Sequence, residues 1–352
     1  MVDMPFGVSR LDSMLDGGVP TGSVVLLATE PGAGGRKFAH TSAAMNALAT
    51  TNNAAFERHY RGIDNEGVIV PATVQYLSVA ATADSLETTL TETVSREIAA
   101  QATEGIVHHD LSETYFEATD VPEAWYHHDS EPASPLPGID TDNDAVDAVE
   151  EIDATDPFEY ADGVTGEDGG DDDERTDAAD SDAGADGDAE TDVDAGTDGD
   201  GQSMTDSDGH NAADAPTILS AVRASLDDAV GGNLVVIDAI TDLDDLPEEI
   251  VSWGAVVRLL RGLTRMVTAR GGLVLVVADA EAVTDPQLGS LSAATTGTLS
   301  FAWETGGSQR ARLLSIRELP GALDRLDRDE IAAFESELHD RGYDLSNVRK
   351  IR

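Results

Sequence analysis

Short aliphatic runs alternating with longer helical patterns account for most of the chain outside one central stretch. The runs are Ser23–Thr29, Val74–Val79, Asn233–Asp238, Gly272–Ala278, Thr298–Trp303 and Ala311–Ile316. Near-continuous apolar runs of this length read as strands covered on both faces. Between them lie Gly35–Thr50, Asp84–Thr103, Thr217–Val230 and Val251–Arg270, which read as helices. Alternation of the two implies crossovers between parallel neighbours. The pattern therefore predicts an α/β fold with a mostly parallel central sheet flanked by helices. After the last strand, Leu326, Ile331, Phe334 and Leu338 fall about one helical turn apart within Arg325–Arg352. That spacing predicts a short amphipathic helix docked on the core.

The pattern disappears over Asp129–Pro216. These 88 residues hold 31 acidic residues against one basic residue, Arg175, and only ten of Leu, Ile, Val, Met, Phe, Tyr or Trp. Such a segment cannot bury enough apolar area to offset chain entropy, so it is expected to be a disordered acidic insert. The expected organisation is an N-terminal part over 1–128, the insert over 129–216, the C-terminal part of the same domain over 217–320, and a helical tail over 321–352.

Charge sharpens this picture. The 352 residues carry 69 Asp and Glu against 21 Lys and Arg, a net charge of −48, and only Lys37 and Lys350 are lysines. A field of that sign opposes nonspecific binding to nucleic acid or to an anionic membrane. It also suits molar salt, where the Debye length falls to about 3 Å and carboxylate repulsion is screened. A halophile's cytoplasm is the expected setting. Cysteine is absent, which excludes disulfides, thiolate nucleophiles and Cys-based zinc sites. The longest apolar runs fall far short of the roughly 18 residues of a membrane helix, so no membrane insertion is expected.

Candidate chemistry centres on "ATEPGAGGRKF", which follows the first long strand and opens a helix. Strand, glycine turn and helix is the setting of a phosphate-binding loop. The preceding "FGVSRLDSMLDGGVPTGSVVLL" resembles the opening of the RecA-like ATPases of the KaiC and RadA type. "VQYLSVAATADSL", "NLVVIDAITDL" and "ARLLSIRELPGA" resemble, in order, that family's second strand, its Walker B strand and its closing strand. The chain is most similar to haloarchaeal HTR-like, or transducer-like, proteins of this group. The resemblance implies a RecA-like P-loop NTPase fold that binds ATP or ADP with Mg²⁺ and often assembles with itself or another protein.

On this resemblance the nucleotide contacts fall on Gly32, Gly34, Gly35, Arg36, Lys37 and Asp238, with Asp238 the metal carboxylate. Thr241 and Asp242 follow it. Yet the pattern GxxxxGK[ST] places its first glycine, last glycine, lysine and hydroxyl at Thr29, Gly34, Gly35 and Arg36. The lysine that contacts the β- and γ-phosphates and the hydroxyl that holds Mg²⁺ are both missing. The resemblance reserves two further positions for water-activating glutamates, and these are Ala80 and Ala81. A degenerate loop without a base predicts little or no hydrolysis. Three readings stay open: a regulatory or assembly protein that binds nucleotide without turning it over, a slow ATPase using Arg36 or Lys37, and a structural protein with an acidic tether.

Two weaker signals complete the sequence. His108–His109–Asp110 and His127–His128–Asp129 repeat a triplet able to ligate metal, although polar loop histidines are the simpler expectation. Arg258, Arg261 and Arg265 form a basic stripe on a predicted helix. The stripe is expected to be a solvated face or an interface with a neighbouring subunit or the chain's own acidic insert, and nucleic acid is the least favoured partner.

Overall fold

A computed structural model describes residues 2–59, 67–126, 217–304, 311–321 and 333–349. In chain order the elements are β1 (Asp3–Met4), α1 (Ser9–Met14), β2 (Val19–Pro20), β3 (Ser23–Thr29), α2 (Gly35–Thr51), α3 (Asn53–His59), β4 (Val74–Ser78), α4 (Ala83–Thr93), α5 (Arg96–Thr103), β5 (Ile106–Asp110) and α6 (Ser112–Glu117). They continue with α7 (Ile218–Ala229), β6 (Leu234–Asp238), α8 (Trp253–Arg270), β7 (Leu273–Asp279), α9 (Asp285–Ser292), β8 (Gly297–Trp303), β9 (Arg312–Glu318), β10 (Ala333–His339) and β11 (Gly342–Arg349).

Nine strands form one sheet in the order β11-β10-β9-β8-β3-β7-β6-β4-β5. The pairs from β8 through to β5 are parallel, and those linking β8, β9, β10 and β11 are antiparallel. The fold is thus α/β with a mainly parallel sheet flanked by helices, as the alternating pattern predicts. Alternation within β3 divides the core: Val25 and Leu27 join one apolar cluster, Val24 and Leu26 the other. The first cluster is covered by α2, α4 and α5, the second by α7 and α8. Helix α2 is buried from Gly35 to Leu48 apart from Arg36 and Lys37, which explains its run of small residues, Ala39, Ser42, Ala43, Ala44 and Ala47. Small side chains let sheet and helices approach it from several sides.

Two expectations need correction. Asp84–Thr103 is two helices, because Val94 turns to φ −120° and Ser95 caps α5, its hydroxyl accepting from Ile98 N at 3.4 Å. The tail is a β-hairpin rather than an amphipathic helix. Phe334 and Leu338 are four apart, a spacing that satisfies both a helical turn and one face of a strand. The turn at Asp340–Gly342, with Gly342 at φ +101°, decides for the hairpin, since a side chain there would also meet Thr41 at 2.3 Å.

The described residues belong to one unit formed by Met1–Ser130 and Ala212–Arg352, while a second unit, Glu131–Asn211, lies outside them. So do the whole expected insert 129–216, the second triplet His127–Asp129, and Leu326 and Ile331 of the tail. Among the described residues, no helix is long and apolar enough to cross a membrane.

Candidate functional site

Parallel strands deliver their carboxyl ends to one edge of the sheet, where an open α/β fold presents its ligand crevices. Thr29, Ser78, Asp238 and Asp279 lie at the ends of β3, β4, β6 and β7. From Thr29 the chain turns through Gly32 (φ +74°) and Gly34 (φ +111°) into α2. The first-turn N–H groups of Arg36 and Lys37 find no backbone acceptor among the described residues.

The loop is tightly braced. Gly35 N–H donates to Thr29 Oγ1 at 3.3 Å, and a Cβ built on Gly35 would stand 2.6 Å from Thr29 Cβ and 3.2 Å from Phe301. The position that the resemblance gives to lysine therefore has no room for a side chain while Thr29 occupies the place of the first glycine. These two departures form one packing unit. On the outer side, Tyr343 of β11 lies 3.0 Å from a Cβ built on Gly34 and stacks edge-on against Phe38 and Phe301. Trp303 Nε1 donates to Pro31 O at 2.9 Å, Arg312 Nε donates to Gly32 O at 3.0 Å, and the Arg312 guanidinium lies over the Trp303 ring. A cavity of about 200 Å³ remains against the loop, lined by Gly32, Gly34, Gly35, Arg36 and Lys37 together with Glu30 and Asp279.

Arg36 decides the electrostatics of this edge. Its Nε donates to Asp238 Oδ1 at 2.8 Å, with half of the Arg36 side chain exposed and Asp238 largely buried. The other carboxylate oxygen, Oδ2, accepts from Tyr76 OH at 2.7 Å. Both oxygens of the expected metal carboxylate are thereby engaged by the protein. Burial drives the Tyr76 phenol well above its usual range, and the neighbouring Asp238 charge adds to the shift, so Tyr76 stays a donor. His40, one helical turn after Arg36, is buried with Nε2 4.0 Å from Asp238 Oδ2. Its pKa falls to about 4, because desolvation, with help from Arg36 and Lys37, outweighs the attraction of Asp238. Thr93 donates its hydroxyl proton to Thr89 O at 2.8 Å, so it accepts at 3.4 Å from a neutral His40 carrying its proton on Nδ1.

Beyond the ion pair opens a cavity of about 390 Å³. Ala80 and Ala81 line it, and neither methyl can take a proton. Asp242 lines it too. Burial pushes the Asp242 carboxyl up to about 6, with Asp238 and Asp245 adding to the rise, against the Ala239 N–H and Arg36, which lower it.

No protein-family model matches the chain, and no curated protein matches it in sequence. Among solved structures it is similar to the flagellar accessory protein FlaH from Methanocaldococcus jannaschii, at 10% identity and a TM-score of 0.48 over 96% of this chain and 95% of that one. It is also similar to the KaiC-like protein PH0186 from Pyrococcus horikoshii OT3, at 12% identity and a TM-score of 0.46 over 97% of each chain. Likeness at these scores carries no residue roles to this chain.

The structure brings Gly32, Gly34, Gly35, Arg36 and Lys37 together around one small cavity, and joins Arg36 to Asp238 rather than leaving it free for phosphate alone. Lys37 lines the same cavity as Arg36. The first triplet is in strand β5, not a loop. His108 Nε2 is 2.8 Å from Ser78 Oγ, and His109 Nε2 is 2.7 Å from Gln75 Oε1 on the opposite face. Among the described residues, no group of three or more His, Asp or Glu is placed to hold a metal ion. Sequence reasoning missed His40, Tyr76 and Tyr343. The first follows Arg36 by four positions on a helix, a legible signal. The other two read as ordinary core aromatics.

Proposed function

We propose that the chain is a regulatory or assembly protein of RecA/KaiC-like type that receives ATP or ADP at its phosphate loop without Mg²⁺ and without turning it over. The observation that carries this reading is the 2.8 Å contact between Arg36 and Asp238. Arg36 stands where the motif has its metal-binding hydroxyl, and its fixed positive charge neutralises the carboxylate that would hold the ion. A divalent cation there would meet a guanidinium at close range and would have to displace Tyr76 as well. The residues present do not fit the metal. They do fit a phosphate group, through the Arg36 and Lys37 N–H groups at the start of a helix and the two basic side chains.

Hydrolysis lacks two further parts, a phosphate lysine at Gly35 and a base at Ala80 or Ala81. The net charge of −48 suits molar salt, where triphosphate and protein repel each other least. Phosphate release and saturable nucleotide binding, both measured on the full chain in molar KCl, test the proposal: binding without release is expected. One observation favours a rival. Asp242, with its pKa near 6 in the open cavity, is a carboxyl suited to proton transfer, and it would serve a slow ATPase. Turnover abolished by Asp242→Asn would establish that rival.

A further inference from the structure

The face of α7 and α8 opposite the sheet carries a groove of about 650 Å³. Its accessible apolar lining is exposed Ala224 and Gly262 and half-buried Met266, over Leu226, Leu259 and Leu263, which are buried in the core beneath α7 and α8. Arg223 of α7 and Arg258 of α8 stand on its rims. At about 100° per residue, Arg261 and Arg265 fall beside Arg258 and prolong that rim outward.

Three observations point to an absent occupant. First, among the described residues none of Arg223, Arg258, Arg261 and Arg265 makes an ion pair or a hydrogen bond, although the chain holds 69 carboxylates. Arg270 of the same helix pairs with Asp227 at 3.0 Å, so the one acidic residue lining the groove is already engaged. Second, Gly262 sits in the interior of α8, on the groove, where glycine weakens a helix. Its conformation is ordinary, and a Cβ there would meet nothing within 4 Å. Neither backbone geometry nor this chain's own packing explains the glycine, whereas close approach of another backbone does. Third, the volume lies within the roughly 300–1,000 Å³ range of ligand-binding clefts.

We infer that this groove docks an acidic amphipathic helix of a partner protein, its apolar face on Ala224, Gly262 and Met266 and its carboxylates on the arginine rims. Charge complementarity selects that occupant. Nucleic acid would set its phosphates on the rims but would bring no aliphatic face to Ala224, Gly262 and Met266. A second copy docked through a two-fold axis would set arginine rim against arginine rim.

Fluorescence anisotropy of the full chain tests this with labelled peptides of about 15 residues. One carries Leu at helical spacing flanked by Glu, one has Lys for each Glu, and one is a scramble of the first. The Leu/Glu peptide is expected to bind saturably and the other two not to bind. Gly262→Leu fills the groove and should weaken binding by about tenfold, while raising the melting temperature, because leucine is the better helix former. Arg258→Glu with Arg223→Glu should transfer binding to the Leu/Lys peptide, a reversal that misfolding cannot mimic. Equal binding of peptide and scramble, or affinity indifferent to Gly262→Leu, would overturn the inference. Competition by single-stranded DNA, or an oligomer of the wild type that Gly262→Leu dissociates, would overturn it in favour of another occupant.

Discussion

The phosphate loop and the cavity beyond Asp238 are neighbours with Arg36 between them, and they have diverged in opposite ways from what the resemblance implies. At the loop, the positions that depart from the resemblance are braced by packing: Thr29 fills the space above Gly35, Tyr343 covers Gly34, and Trp303 and Arg312 hold the carbonyls of Pro31 and Gly32. In the cavity the positions that the resemblance gives to glutamates are the methyl groups of Ala80 and Ala81 beside open volume, with Asp242 and His40 shifted from their usual pKa values. The loop's departures are compensated as a set, so single reversions there should be costly. The cavity's departures are uncompensated, so changes there should act mainly through charge.

The largest expected effect is on the loop's cover. Tyr343→Ala removes a ring in contact with Phe38 and Phe301 and should cost about 3–5 kcal/mol, read from chemical denaturation. A loss below about 1 kcal/mol would show that the hairpin only rests on the loop. Next, Gly35→Lys alone should destabilise by about 3 kcal/mol through the clash with Thr29, and Thr29→Gly in the same chain should recover much of it. Additive effects of the two substitutions would break the claim that they form one unit.

The cavity makes a different claim, about pH. The depressed pKa of His40 gives stability that is full above about 6.5 and is lost as pH falls towards 4. The raised pKa of Asp242 acts in the opposite sense, giving stability that is full below about 4 and is lost as pH rises through 6. Each is on the order of 3 kcal/mol, so over pH 4–6 they largely cancel. Asp242→Asn should steepen the acid loss of stability between pH 6 and 4, and His40→Asn should reverse the slope there. Identical pH profiles in the two variants would remove the electrostatic account. The smallest effect concerns the whole surface: melting temperature should rise by several degrees between low and molar KCl, since −48 is screened progressively. A flat response would remove the halophilic reading.

Most of the parallel core was legible because continuous aliphatic strands and long helices admit one interpretation: β3 has the bounds expected, and β6, β7 and β8 differ by a residue or so. The C-terminal hairpin was not, because Phe334 and Leu338 suit two periods and the deciding turn is a single Asp-Arg-Gly. Strand β5 was hidden by its two histidines, polar residues made acceptable by side-chain partners on β4. At the site, the positions of missing groups could be read from spacing. What replaced them could not, since Thr29 over Gly35 and Tyr343 over Gly34 are contacts between distant or unpatterned residues.

The central claim is that the Arg36 guanidinium stands in place of a divalent ion on Asp238. Calorimetric titration of ATP into the full chain in molar KCl, with Mg²⁺ and then with a chelator, tests it most directly. The account expects saturable binding with the same affinity in both. Loss of about tenfold or more in affinity on chelation, or no binding under either condition, would contradict it.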